Sequence, residues 1–311
     1  MEWVPTPPHG LIGEMIDKVK TKIQQDPLFG YLLIAPIFIW IAVTLFYPLL
    51  RAIYDSFMNI EFMGEEGNFV GFHNYVRLIH DSEFRGSFIR TLIWTGVNVF
   101  FQVFVAFFAS VILDLEFKGK RFMRIWILLP WIIPVIVLAT IWRWMLDPSL
   151  GIVNYVLRVT ATISSPIPFL GSTDYAMITA ILVNTWRWFP FYAVMILAAL
   201  QIIPTELYEA AKIDGASFFQ QFQHITLPSI MPVLVTVILI CSLWAANVFD
   251  MLWLLTMGGP GTSTQTFPIY IYQKGFQEYK LSQAAAAAVF MFLFLLIYGT
   301  IYLRNVTMET E

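Results

Sequence analysis

Residues 284–303 read AAAAAVFMFLFLLIYGTIYL, a run without a single charged side chain. A bilayer hydrocarbon core about 30 Å thick is crossed by about 20 mostly apolar residues in an α-helix, so this run predicts a membrane span. Five further stretches of the same kind lie upstream, at about 31–50, 88–113, 122–146, 175–203 and 230–257. None alternates polar with apolar residues as barrel strands do, and lipid admits only backbone that satisfies its own hydrogen bonds. The expected fold class is all-α, a polytopic membrane bundle of six transmembrane helices. Composition agrees: of 311 residues, 58% are hydrophobic and 13% charged, against about 45–50% and about 25% in soluble chains. That excess excludes a soluble globular chain and equally a disordered or fibrous one.

Orientation follows from Lys and Arg in the short connections. Lys118, Lys120, Arg121 and Arg124 lie between spans two and three, and Lys18, Lys20 and Lys22 precede span one, whereas the loop after span three offers only Arg158. Both termini are therefore expected in the cytoplasm. Residues 1–29 read as a cytoplasmic N-terminal segment, 30–304 as one membrane domain and 305–311 as a cytoplasmic tail. Within the first segment, Ile12, Met15, Ile16, Val19 and Ile23 share a helical face, which reads either as an interfacial helix over 11–24 or as a loose tail. The first apolar run is too long for a cleavable signal. Residues 57–87 are polar, with Gly64, Gly67 and Gly71, and are long enough for a small extracytoplasmic cap.

Several chemistries are missing. The formal charge of −3 leaves too few cations for a nucleic-acid footprint. There is no phosphate-binding Gly-rich loop, no paired-histidine zinc motif and no nucleophile elbow, and His9, His73, His80 and His224 fall at no metal-like spacing. The single cysteine, Cys241, cannot form an internal disulfide. No catalytic residue, metal or cofactor is expected in this chain, so uphill transport would draw on an ion gradient or on another subunit. The signs of an ion-coupled secondary transporter are an internal repeat and membrane-buried carboxylates. No repeat is visible, and Asp250 is the clear carboxylate away from the span ends.

The loop 201–228 must be cytoplasmic in this topology, yet Lys212 is its only Lys or Arg. Pro204 ends the preceding span, Thr205 is placed to cap a short helix with Glu206 and Glu209 in its first turn, and Gly215 supplies a left-handed stop. A helix, a sharp turn and a second short helix follow. Ala210 and Ala211 keep one side small, which suits close approach of another protein and equally an ordinary interfacial hairpin. Glu209, Ala210, Ala211 and Gly215, with Ile225, Leu227 and Pro228 after a gap, resemble the EAA loop of ABC importer permeases. Asp214 and Ala216 beside it make the wording similar to the carbohydrate-uptake branch related to the maltose and glycerol-phosphate systems. Three other stretches resemble that branch: 129–134 (LPWIIP) its paired-proline segment, 70–75 (VGFHNY) its first outer loop, and 258–260 (GGP) the turn after its fifth span.

The resemblance implies a type I importer permease fold in the cytoplasmic membrane of a prokaryote, with a coupling loop at 204–228. It implies that Glu209, Ala210, Ala211, Asp214 and Gly215 meet a separate ATPase, where ATP and Mg are bound. It also implies a second permease subunit, an extracytoplasmic solute-binding protein and a sugar or related polyol as substrate. Polar groups in spans are costly and mark site candidates, although Trp also anchors helices at the interface and Asn joins helices to one another. Span four offers Asn184, Arg187 and Trp188; span five offers Trp244, Asn247 and Asp250. With Trp131 of the paired-proline segment these are the candidate substrate contacts, amides and charges for hydroxyls and indoles for sugar faces. Trp142, Arg143 and Trp144 read as interface anchors. Asp250 is placed to pair with Arg187, and Arg187 leaves an anionic sugar open.

Overall fold

A computed structural model describes residue 13, residues 27–60 and residues 67–309. The expected interfacial helix over 11–24 therefore lies, but for one position, outside the described residues. The chain divides into two compact units, 1–55 and 56–311. In the first, α1 (Pro27–Ile41) passes through a π turn (Ala42–Phe46) into α2 (Tyr47–Ser56). Pro48 lacks an N–H and its ring would strike the Thr44 carbonyl in a regular helix; the wider turn carries that carbonyl aside. Arg51 pairs with Asp55 one turn on, at 2.9 Å. No residue in the most apolar window of this span is buried within the chain.

The second unit holds α3 (His73–His80), α4 (Ser82–Asp114), α5 (Lys120–Ile127), α6 (Leu129–Ile132), α7 (Val135–Met145), α8 (Ile152–Val159) and α9 (Ala176–Leu200). After them come α10 (Thr205–Ile213), α11 (Phe218–Gln221), α12 (Leu227–Ala246), α13 (Asp250–Thr256), α14 (Phe267–Tyr272) and α15 (Leu281–Glu309). Among the described residues, five helical stretches are long and apolar enough to span, six if α5–α6 and α7 count as one broken span. Three buried clusters run along the bundle. One gathers Trp94, Leu138, Ile181 and Met251, a second Ala106, Tyr192, Ile196 and Val237, and a third Phe84, Phe267, Tyr270 and Ala287.

Two spans depart from expectation. The third is not a straight helix over 122–146: its halves meet at 92°. Pro130 sits at the start of α6 and Pro134 caps α7, and Ile133 before it is extended (ψ 129°), as a residue preceding proline tends to be. The fifth does not run over 230–257. It begins at Phe218, so the second helix of the loop flows into it through a π turn (Phe222–Thr226), and it ends at Ala246. At that end the Asn247 side-chain amide donates to the Leu243 carbonyl and the Asp250 carboxylate accepts from the Met251 N–H. Short polar side chains that bond nearby backbone in this way interrupt a helix and start the separate α13.

The outer-loop sequence 70–75 has a packing reason. Gly71 takes φ +59°, a left-handed conformation that glycine adopts without steric cost. Behind it, Asn74 donates to the carbonyls of Ser56 (2.9 Å) and Met58 (2.8 Å), and the Tyr75 and Ser56 hydroxyls meet at 2.7 Å. Phe57, Phe72 and Tyr75 stack around them with centroids 5.3–5.8 Å apart. The paired strands β1 (Met58–Asn59) and β2 (Asn68–Phe69) close the cap, Met58 opposite Phe69.

Candidate functional site

At one end of the bundle α10 projects with little of the chain against it. Pro204, extended, occupies its N-cap, so Thr205 is the first helical residue and makes no capping bond, contrary to its expected role. Its C-terminus is a Schellman closure: the Ala216 N–H reaches the Ala211 carbonyl (2.9 Å), and the Gly215 N–H reaches that of Lys212 (3.1 Å). Gly215 takes φ +76° with open space around its Cα. Ser217 and Gln220 then form a capping box that starts α11. Glu209, Ala210, Asp214 and Gly215 are exposed and Ala211 is half-buried. Around them Ile213 and Phe218 are 86% and 82% exposed, an apolar surface that rigid backbone presents to whatever lies opposite.

The candidate substrate residues divide into two groups. Trp131, Trp188 and Trp244 come together from α6, α9 and α12 around Phe191, which sequence reasoning did not single out. Trp131 stacks on Phe191 at 5.4 Å, Trp244 lies 5.5 Å from Phe191, and Trp188 lies 5.1 Å from Trp244. Trp131 and Trp244 remain 41% and 45% exposed, so the cluster is an aromatic wall and not sealed core. The Arg187 guanidinium lies over the Trp188 ring at 5.2 Å and faces the Asp250 carboxylate at 3.7 Å, the pairing expected from sequence. Its Nε is buried with no partner in the described residues.

Asn184 and Asn247 stand apart from that wall. Asn184 is buried, and its amide donates to Asn98 Oδ1 at 2.8 Å, which also accepts from Gln102 (2.9 Å). Gln102 in turn accepts from the Cys241 thiol at 3.1 Å. In this conformation Asn184 belongs to a polar ladder joining α4, α9 and α12. Asn247 lines an apolar groove of about 710 Å³ with Leu243, Phe249 and Tyr272. Of the expected anchors, Trp142 packs edge-on against Trp186 at 5.4 Å beside the first core cluster, and Trp144 is exposed.

Sequence reasoning also missed a charge cluster where α4 meets α14 and the π turn after it (Gln273–Gln277). Lys274, almost fully buried, lies 2.8 Å from Glu83, 2.9 Å from Glu278 and 3.8 Å from Asp81. Tyr270 donates to Asp81 at 2.9 Å, while Gln265 donates to Glu83 at 2.7 Å and accepts from Arg90 at 2.9 Å. Burial pushes the Asp81 and Glu278 carboxyls up. The Tyr270 bond and the Glu83 backbone amide hold Asp81 below the usual range, and bonds from Lys280 and Lys274 do the same for Glu278. Burial would lower Lys274, but its bonds to Glu83 and Glu278 raise it overall.

Comparison with known proteins decides the family. Residues 87–306 match the model of the binding-protein-dependent transport system inner membrane component. The chain belongs to that family. It is a permease subunit of an ABC transporter and a multi-pass component of the inner membrane, and an ion-coupled secondary transporter is not favoured. It is 33% identical over 289 residues to the trehalose/maltose transport system permease protein MalF of Thermococcus litoralis, covering 92% of this chain and 95% of that one. It is 34% identical over 280 residues to the sulfoquinovosyl glycerol transport system permease protein SmoG of Agrobacterium fabrum, covering 90% of each. A crystal structure of a bacterial alginate ABC transporter, in complex with its alginate pentasaccharide-bound periplasmic protein, aligns with TM-score 0.79 at 25% identity over 91% of this chain and 94% of that one.

Proposed function

We propose that this permease carries a saccharide inward by alternating access, as one of two permease subunits served by separate ATPase subunits and an extracytoplasmic binding protein. The aromatic wall carries the sugar assignment: indole faces cover the apolar face of a sugar ring, while Arg187 and Asp250 beside them supply donors and acceptors for hydroxyls. The named relatives act on trehalose and maltose or on a sulfoquinovosyl glycerol, and the aligned structure on alginate, which supports the same class. The coupling assignment rests on α10. Its exposed, small-sided surface, bounded by Pro204 and the Schellman turn at Gly215, suits a nucleotide-driven partner, with Glu209, Ala210, Ala211, Asp214 and Gly215 at the contact. Loaded binding protein docks outside, closure of the ATPases moves α10, the spans open outward to receive sugar, and hydrolysis resets the inward state. ATP and Mg are held by the partner.

The test is to tag the chain, extract it mildly from its native membrane, identify what co-purifies and assay ATPase. A second permease and an ATPase in the eluate are expected, and a lone chain without ATPase would refute the assignment. In cells, Trp244→Ala should lower uptake of the transported saccharide by roughly tenfold at most, the worth of one aromatic face, at unchanged membrane abundance. Unaltered uptake would move the pathway away from the wall.

A further inference from the structure

Two connections join α10 to the bundle through the chain: residues 201–204 lead to α9, and residues 214–217 lead to span five. The second turns at Gly215, left-handed with open space where a Cβ would stand, and at Ser217, extended at φ −66°, ψ 162°. Its backbone bonds are local, the Schellman pair and the capping box, so a bend there absorbs motion of α10 without passing it to span five. A side-chain contact bridges it. The Tyr208 hydroxyl on α10 lies 2.8 Å from the Thr226 hydroxyl, across 18 residues of chain and partly buried. Tyr208 is half-buried, whereas its neighbours Leu207 and Glu209 are exposed, so its ring turns toward the bundle.

Thr226 is no ordinary helical position. It closes the π turn Phe222–Thr226, in which the Leu227 N–H reaches back to the Phe222 carbonyl. Pro228 requires the turn, because its ring would clash with the His224 carbonyl in a regular helix and it has no N–H to offer. Phe222 in the same turn packs edge-on against Phe107 of α4 at 5.9 Å. Beyond Thr226, α12 runs unbroken to Ala246 and carries Trp244 to the aromatic wall. The Tyr208–Thr226 pair thus sits where a push on α10 enters α12, which with α9 reaches from the coupling segment to the wall.

We infer that the Tyr208–Thr226 hydroxyl pair is the strut that makes α10 and span five move together, with Tyr208 a positioning residue that needs no contact with the ATPase. The inference rests on the reading that a nucleotide-driven partner seats on α10. Its test uses hydrogen exchange on the assembled transporter in lipid nanodiscs, with and without ATP and vanadate. In the native protein, trapping should change amide protection both in 204–217 and in 218–230. Tyr208→Phe and Thr226→Val each remove one hydroxyl and keep the shape. Each should leave the change in 204–217 intact and reduce that in 218–230 about fivefold, the shift one neutral hydrogen bond supplies. Thr226→Ser should behave as the native protein, and the double variant should be no worse than either single one. An undiminished response in 218–230, or single effects that simply add, would overturn the strut. No response in 204–217 of the native protein would instead remove the reading of α10 as the seat of a nucleotide-driven partner, and the strut with it.

Discussion

Asn98 ties two spans together through its side-chain oxygen. Its Oδ1 accepts from Asn184 and Gln102, and its own amide donates to the Trp94 carbonyl at 2.8 Å. Replacing it by leucine strands two buried donors, those of Asn184 and Gln102. Asn98→Leu should destabilise the permease by about 0.6–2 kcal/mol, the range of interhelical polar contacts in membranes, measured as the shift in unfolding by SDS in mixed micelles. At Lys274 the argument is electrostatic. The depressed Asp81 and Glu278 contribute stability that is present above their unfolded pKa values of about 4 and lost as pH falls through the lower folded ones. The raised Lys274 contributes stability that is present below about 10.4 and lost as pH rises through its higher folded value. The thermal midpoint of the native protein should therefore be flat from about pH 5 to 9 and fall on either side. Lys274→Met leaves Asp81, Glu83 and Glu278 facing one another. It should lower the midpoint at pH 7 and reverse the acid limb, so that the variant melts higher at pH 5 than at pH 7. Neither residue was legible in advance. Asn98 and Gln102 are polar positions in a long apolar run, and Lys274 sits in a short loop where a charge reads as solvated. Each gained its role from partners more than 80 residues away in sequence. The tryptophans were legible because so large a polar-edged ring in a span has few uses, whereas Phe191 among 28 phenylalanines is indistinguishable from lipid-facing filler.

At the scale of elements, proline placement accounts for most of what could and could not be read. Hydropathy sees a window about 20 residues wide, so it found the third and fifth spans and missed that one is folded at 92° and the other fused to the coupling loop. The prolines at 130, 134 and 228 were visible, but whether a proline bends a helix, starts one or is taken up by a π turn depends on which neighbouring group donates to the freed carbonyl. The Schellman end of α10 was legible because glycine at that position has a local cause. That makes Gly215 the sharpest probe of the element. A glutamate there is strained by about 1–2 kcal/mol, yet its Cβ would meet nothing within 4 Å in this chain. Gly215→Glu should accordingly remain folded and membrane-inserted, while its carboxylate projects into the surface that α10 offers to a partner. Loss of co-purifying ATPase at normal abundance is expected, and normal transport by this variant would refute the coupling role of α10.

Across the whole molecule, both the charge bias and the structure place Lys118, Lys120, Arg121 and Arg124 around the turn after α4. There Lys120 bonds the Asp114 carbonyl at 2.9 Å and Arg124 that of Leu113 at 3.3 Å. These cations therefore serve the free carbonyl end of a long helix as well as the topology, and the helix-end role alone would favour them on either side of the membrane. Orientation needs an independent measurement, and the chain provides a clean one. Its single cysteine is buried and bonded to Gln102, so Cys241→Ser, which keeps a hydroxyl in that place, gives a cysteine-free background. Ser149, exposed in the turn after α7, lies on the expected outer face, and Asp214, exposed at the end of α10, on the expected inner face. In intact cells an impermeant maleimide should label Ser149→Cys and spare Asp214→Cys until the membrane is opened. The reverse pattern would turn the permease over and put α10 on the wrong side for any cytoplasmic ATPase. Labelling of both in intact cells would mean that the bundle is not sealed, and the alternating-access mechanism would fail with it.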